Sequence, residues 1–119
     1  MEIVSNVVLR FRDGRTERVS LDPIDPSRQM FTILRDGART EVPYTDLKAV
    51  FFPRVAETPI EEASGSTLSV EFADGEVIRG IAHYNPERNG FFLYPLDRSK
   101  NDRIYVVNSA IASIEVERY

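Results

Sequence analysis

The sequence predicts an all-β protein built from two tandem five-stranded units, and three observations support this fold class. Apolar residues alternate with polar ones over short segments, which is the period of a half-buried strand. Asp-Gly follows such a segment twice, at 13–14 and 74–75, and this pair favours a tight hairpin because both residues tolerate positive φ. The blocks around these hairpins also recur along the chain as an internal repeat.

Three blocks of the repeat match in order: 7–14 with 68–75, 25–31 with 85–91, and 42–52 with 106–116. The offset changes between blocks correspond to short insertions or deletions, which a duplicated unit tolerates in its loops. The predicted domains are a first repeat at 1–53, a linker at 54–66 and a second repeat at 67–119.

Each repeat is predicted to be a short meander of five strands. In the first repeat, Val7, Leu9 and Phe11 alternate along the first strand, and Asp25-Pro26 opens the turn after the second. The later strands of this repeat are predicted at 16–21, 30–34, 40–44 and 48–52. A one-turn helix with a hydroxyl cap is expected at 45–47, between the fourth and fifth strands.

The second repeat follows the same plan. Its first strand contains the alternating Leu68, Val70 and Phe72, and Gly80 in the next strand indicates a bulge or a sharp bend. The later strands are predicted at 76–84, 90–94, 103–107 and 113–117, with a capped helical turn at 109–111 and a mobile polar loop at 97–103. In the linker, Thr58, Pro59 and Glu61 have the order of a helix N-terminus, and this predicts a short helix ending at Gly65.

Five strands in about 50 residues, with a helical turn before the fifth, resemble the plan of a small SH3-like or Sm-like barrel. The alternation into Asp-Gly and the mid-strand Gly80 resemble the Sm-like group, although the first repeat has Val19 in place of that glycine. The resemblance implies two barrels joined by the short helix-containing linker. The second repeat also resembles a bacterial domain of unknown function associated with signalling and motility proteins, which implies an accessory or interaction role.

Composition excludes several functions. The 119 residues contain no cysteine and one histidine, His83, so no thiolate nucleophile, Cys-ligated metal or histidine-based catalytic cluster is supported. We expect no catalytic residues, no metal and no cofactor. No segment is long and apolar enough to cross a membrane and the N-terminus does not resemble a signal peptide, so the expected compartment is the cytoplasm.

Nucleic-acid binding is the alternative function. The Sm-like resemblance implies RNA contacts from the turn after the second strand, where Gln29 and Asn89 lie, and from a basic element after the fourth strand. That basic element is absent at 42–46 and 106–110, and the net charge of −4 disfavours a polyanion. A small enzyme or a nucleotide-second-messenger receptor ranks third, because carboxylates are dispersed and the usual cyclic-dinucleotide motifs are absent.

The preferred hypothesis is a non-catalytic bacterial protein-interaction or adaptor module, in signalling or motility. An exposed strand edge could bind the partner, and so could the arginine-rich first hairpin or the aromatic residues of the second repeat. The candidate partner-binding residues are Arg10, Arg12, Arg15, Arg18, Phe92, Tyr94 and Tyr105. The aromatic residues have a competing interpretation, in which they pack the two repeats against each other. Self-association of the chain is left open.

Overall fold

The computed structural model describes residues 3–25, 27–54 and 64–117. These ranges contain ten β-strands and two single turns of 3-10 helix. The strands are β1 (Val4–Phe11), β2 (Thr16–Leu21), β3 (Met30–Arg35), β4 (Ala38–Pro43), β5 (Leu47–Pro53), β6 (Ser66–Phe72), β7 (Val77–Ala82), β8 (Gly90–Pro95), β9 (Asn101–Val107) and β10 (Ile111–Val116). The 3-10 turns are Tyr44–Asp46 and Asn108–Ala110. Within the same ranges, no helix is of a length and hydropathy suited to crossing a bilayer.

All ten strands form one antiparallel sheet in the order β10-β6-β7-β8-β9-β5-β1-β2-β3-β4. We call residues 3–54 the first half and residues 64–117 the second half. Each half has the same internal order, in which its fifth strand lies beside its first and the fourth lies at the far side. The halves join where β5 pairs with β9, and we call this strand pair the junction.

The all-β class is confirmed, whereas two separately closed barrels are not seen. Within the described residues, neither half pairs its own fourth strand with its own fifth. Instead, β5 takes β9 of the other half as its second neighbour. The predicted linker helix lies outside the described residues, apart from Ser64 and Gly65, which are not helical.

Two hydrophobic cores lie on opposite faces of the sheet. Leu9 is opposite Val50, and Val50 is opposite Tyr105, so these three side chains share the face that forms the first core. Ile104, one position before Tyr105, points to the other face, where it is opposite Leu93 of the second half. The junction strands therefore contribute to both cores, and β5 is buried on both faces from Leu47 to Phe52.

Several local expectations need correction. Both 3-10 turns begin one residue earlier than predicted, at Tyr44 and Asn108, and neither has a side-chain cap. The predicted loop at 97–103 is shorter, because β9 already begins at Asn101. Gly80 pairs with Leu68 without any shift of register, so it marks no bulge.

Gly80 is needed for close approach of the neighbouring strand. A Cβ atom at this position would lie 2.3 Å from the carbonyl oxygen of Tyr94 and 2.5 Å from Leu93 Cδ2. The glycine therefore allows β7 and β8 to pack at a distance that any side chain would prevent.

Candidate functional site

The first two candidate arginines hold the two halves together. Arg10 Nη1 lies 2.7 Å from Glu76 Oε2, and its guanidinium stacks 4.2 Å from the centre of the Phe51 ring. Arg12 donates to the Leu47 carbonyl at 3.0 Å and to the hydroxyl of Ser109 in the second half. Sequence alternation places both side chains toward solvent, but these contacts commit them to internal partners.

The other two candidate arginines of the hairpin, Arg15 and Arg18, are both exposed. Arg15 pairs with the neighbouring Asp13 at 2.7 Å and covers the ring of Phe11. Arg18 is exposed, and its side chain makes no hydrogen bond or ion pair with the residues that the structure describes. Of the four arginines, Arg18 is the one most available to a partner.

The aromatic candidates mostly belong to the junction. Tyr105 is fully buried, with its ring 4.9 Å from Phe92 and 5.8 Å from Phe31 of the first half. Phe92 also lies 5.8 Å from Phe52, and Arg103 stacks on both of these rings at 4.7 Å. These rings therefore pack the two halves against each other. Because Tyr105 is buried, it cannot contact a partner at the surface.

Tyr94 is the candidate aromatic residue that lies away from the junction. It is half-buried on β8, and the guanidinium of Arg98 lies 5.1 Å from its ring centre.

A polar network surrounds the Tyr105 hydroxyl at one end of the junction. This hydroxyl donates to Asn89 Oδ1, and the Asn89 amide nitrogen donates to the carbonyls of Asp25 and Arg28 in the first half. Burial, with a smaller contribution from the negative charge of Asp25, raises the pKa of Tyr105 to about 12. Asn89 therefore holds a first-half turn in place and does not present a free amide.

A second polar network bridges the halves on the opposite face. Lys48, 7% exposed, places Nζ 2.7 Å from both Asp74 Oδ2 and Glu76 Oε1. Burial alone would lower the pKa of Lys48, but the hydrogen bonds that Lys48 donates to these carboxylates outweigh burial and raise the pKa. Because the lysine stays charged and fully paired, the cluster is suited to holding the halves together and not to proton transfer.

Among the described residues, the sheet has two open edges, and the first is β4. The Asp22 N–H donates to the Thr32 carbonyl and the Tyr44 N–H donates to the Gln29 carbonyl, each at 3.0 Å. Backbone groups alternate in direction along a strand, so the Tyr44 bond implies that every second residue of β4 directs its N–H and C=O groups toward β3. The Asp22 bond agrees, because it uses a Thr32 carbonyl that points away from β4. The backbone groups of Arg39 and Glu41 consequently point away from the sheet.

The second open edge is β10. The Glu117 N–H donates to the Thr67 carbonyl at 2.9 Å, and Glu115 is opposite Ser69, so these residues face β6. The backbone groups of Ile114 and Val116 therefore point outward. Val116 is 51% exposed, whereas its repeat counterpart at the junction, Phe52, is 5% exposed.

Two of the surface grooves have similar volumes. One of about 390 Å³ lies between the two repeat turns, and another of about 370 Å³ lies beside β4. The first is lined by Ser27, Arg28, Gln29, Tyr44, Glu87, Arg88 and Asn89. Among the described residues, no group of three or more His, Asp or Glu side chains is placed to hold a metal ion.

Lys48, Ile114 and Val116 were not among the sequence-predicted site residues. Lys48 had a usable signal, since it is a lone charge inside an apolar run, and a buried charge needs a partner of opposite charge. Ile114 and Val116 also had one, because the repeat matches them with Val50 and Phe52. Which residues pair across the junction could not be predicted, because neighbouring residues in the sequence do not indicate contacts between distant segments.

Comparisons with curated proteins and with solved structures give no match. A family model described as a family of unknown function (DUF6982) matches residues 4–118, which spans both halves in a single unit. Because the match covers nearly the whole chain, this protein belongs to the DUF6982 family.

Proposed function

We propose that this protein is a non-catalytic interaction module that binds a protein partner, as an adaptor in bacterial signalling or motility. The observation that carries the proposal is that β4 and β10 each have a strand neighbour on one side only among the described residues. Unpaired backbone groups on an edge strand are a template for an added strand, and extended peptides are bound in this way by several kinds of adaptor. The resemblance of the second repeat to an accessory domain agrees with this role.

The charge pattern also supports a protein partner. Residues 60–119 contain six basic and ten acidic side chains, so the net charge of −4 lies in this part of the sequence. Nine of the chain's 15 arginine and lysine residues form ion pairs with its own carboxylates, and this internal pairing disfavours a polyanion as the partner. The nine paired residues are Arg10, Arg15, Arg28, Arg35, Arg39, Lys48, Arg54, Arg79 and Arg98.

A peptide-display selection tests the proposal. The intact protein is immobilised, a random peptide library is selected on it, and the affinity of enriched peptides is measured by calorimetry. We expect extended peptides with dissociation constants of about 1–100 μM, the range of small transient interfaces. If no peptide is enriched over an uncoated surface, the proposal is wrong.

RNA binding is the second candidate function, and the groove between the repeat turns favours it. Arg28, Arg88 and Tyr44 line this groove at the position where the Sm-like resemblance implies RNA contacts. The decisive measurement is binding of a mixed RNA pool at low salt by the unmodified protein and by the double variant Arg28→Glu, Arg88→Glu, with Arg18→Glu as the control. Loss of binding in the double variant alone would support RNA binding, and no binding by the unmodified protein would exclude it.

A further inference from the structure

The two halves differ in what covers their fifth strand. In the first half, β5 is covered by β9, and Val50 is fully buried opposite Tyr105. In the second half, β10 is the matching strand, and the matching residue Ile114 is only half-buried. Among the described residues, no strand covers the second core at the position where β9 covers the first core.

The backbone groups of β10 are oriented to accept an antiparallel neighbour, as those of β5 accept β9. At the junction, the residues of β5 that hydrogen-bond with β9 include Val50 and Phe52. Their counterparts Ile114 and Val116 have outward-facing backbone groups, as the Glu117 N–H to Thr67 bond requires. An antiparallel strand could thus add to β10 in the register that the junction shows.

Strand β4 of a second copy of this chain fits that position poorly. This strand is the repeat counterpart of β9, and the same register would place Glu41 opposite Ile114. Glu41 already pairs with Arg28 at 3.5 Å, and burying its carboxylate against an apolar side chain would be costly. Pro43, at the end of β4, also has no N–H to donate.

We propose that the β10 edge binds an extended segment of another protein by antiparallel strand addition, with an aromatic side chain opposite Ile114 and a basic side chain on the alternate face beside Glu115. This rests on the proposed function and names its site and the chemistry of its partner. The aromatic residue follows from Tyr105, which occupies the equivalent position opposite Val50. The basic residue follows from Glu115, which is exposed where the junction has the buried Phe51.

The chain supplies its own probe for this site. A fluorescein-labelled peptide of residues 101–108 is made with Ile104→Lys, which places the basic residue beside Glu115 in the proposed register. A second peptide also has Tyr105→Glu, to imitate the side chain that β4 would present. Fluorescence polarisation should show saturable binding of the first peptide, and binding of the second that is weaker by about tenfold or more.

Proline variants locate the binding edge. Ile114→Pro removes an N–H that points away from the sheet, so the ladder to β6 stays complete, and it should abolish peptide binding. The matched control Glu41→Pro blocks the other edge and should bind the peptide normally. Val116→Lys, at an exposed position, provides a second test if Ile114→Pro unfolds, and it should weaken binding by about tenfold or more.

The outcomes separate this inference from the proposed function. Peptide binding that is unchanged in Ile114→Pro and Val116→Lys would overturn the β10 site, while peptides selected from the library would still support an interaction module. Concentration-dependent self-association that both β10 variants abolish would show that a second copy is the occupant, and would also overturn the inference. Absence of binding by any library peptide would contradict both proposals.

Discussion

At the residue scale, the equivalent turns of the two halves are held by asparagines in different ways. Asn108 donates to the carbonyls of Asn85 and Arg88 at 2.7 and 2.9 Å, within the second half. The first-half counterpart of Asn108 is Tyr44, which has no side-chain amide. Asn89 of the second half instead donates to the carbonyls of the first-half turn. The first half therefore depends on a side chain of the second for the order of this turn.

We predict that Asn89→Ala lowers the free energy of unfolding by about 1–2 kcal/mol, because it leaves two turn carbonyls and the Tyr105 hydroxyl without their partner. Urea unfolding followed by circular dichroism measures the change. Gln29→Ala, at the matching position of the first repeat, is the control, since Gln29 is exposed and should change stability by less than about 0.5 kcal/mol. Equal effects of the two variants would contradict this role.

The Lys48 cluster makes stability depend on pH. For Glu76, burial alone would raise the pKa, but the hydrogen bond from Lys48 and the charge of Arg10 lower it below its ordinary value of 4.5. The Lys48 hydrogen bond likewise lowers the pKa of Asp74. Depressed carboxyl pKa values stabilise the fold above about pH 4.5, and this contribution is lost as pH falls through the folded-state values.

Lys48→Met should therefore reduce the loss of stability between pH 5 and pH 3 relative to the unmodified protein. Urea midpoints measured at pH 7, 5, 4 and 3 test this expectation. Arg18→Met, which removes a cation without a partner among the described residues, should leave the pH dependence unchanged. A Lys48→Met profile parallel to that of the unmodified protein would show that the cluster does not control acid stability.

At the element scale, strand positions were predictable because their signals are local. The alternation of Leu68, Val70 and Phe72 depends on neighbouring residues alone, and all three are buried as expected. The junction was not predicted, because it pairs segments that are distant in sequence. The unbroken apolar run from Ala49 to Phe52 is nevertheless typical of a strand that is buried on both faces.

Gly80→Ala is predicted to destabilise the protein by about 1–3 kcal/mol, because the new methyl group would overlap the backbone of β8. Thermal unfolding measures the effect, with Arg79→Ala on the same strand as the control. The control removes an exposed ion pair with Glu117, which contributes less than about 1 kcal/mol. A Gly80→Ala protein as stable as the unmodified one would mean that β7 and β8 can separate without loss.

At the scale of the whole molecule, the shared junction should make the two halves unfold together. Phe52 and Tyr105 come from different halves and are both buried in the first core, so opening either half exposes the other. We expect one guanidinium transition, with the same midpoint by far-ultraviolet circular dichroism and by tyrosine fluorescence. Two separated transitions would contradict the coupling.

A substitution at the junction extends this test. Phe52→Ala should lower the free energy of unfolding by about 3 kcal/mol and move the midpoints of both probes together, because it opens a cavity between the halves. Val77→Ala, at a position that is 53% exposed, should move neither midpoint appreciably. A shift that appears in one probe alone would indicate that the halves are independent.

The pairing of β5 with β9 also has a consequence during synthesis. The ribosome completes β5 before it reaches Asn101, so the apolar strand β5 of the nascent first half has an unpaired edge until β9 is synthesised. Such an edge can pair with other nascent chains until β9 is made. The second half is thus a covalently attached folding partner of the first, and a chain truncated before Asn101 should sediment with the insoluble fraction when the full-length chain does not.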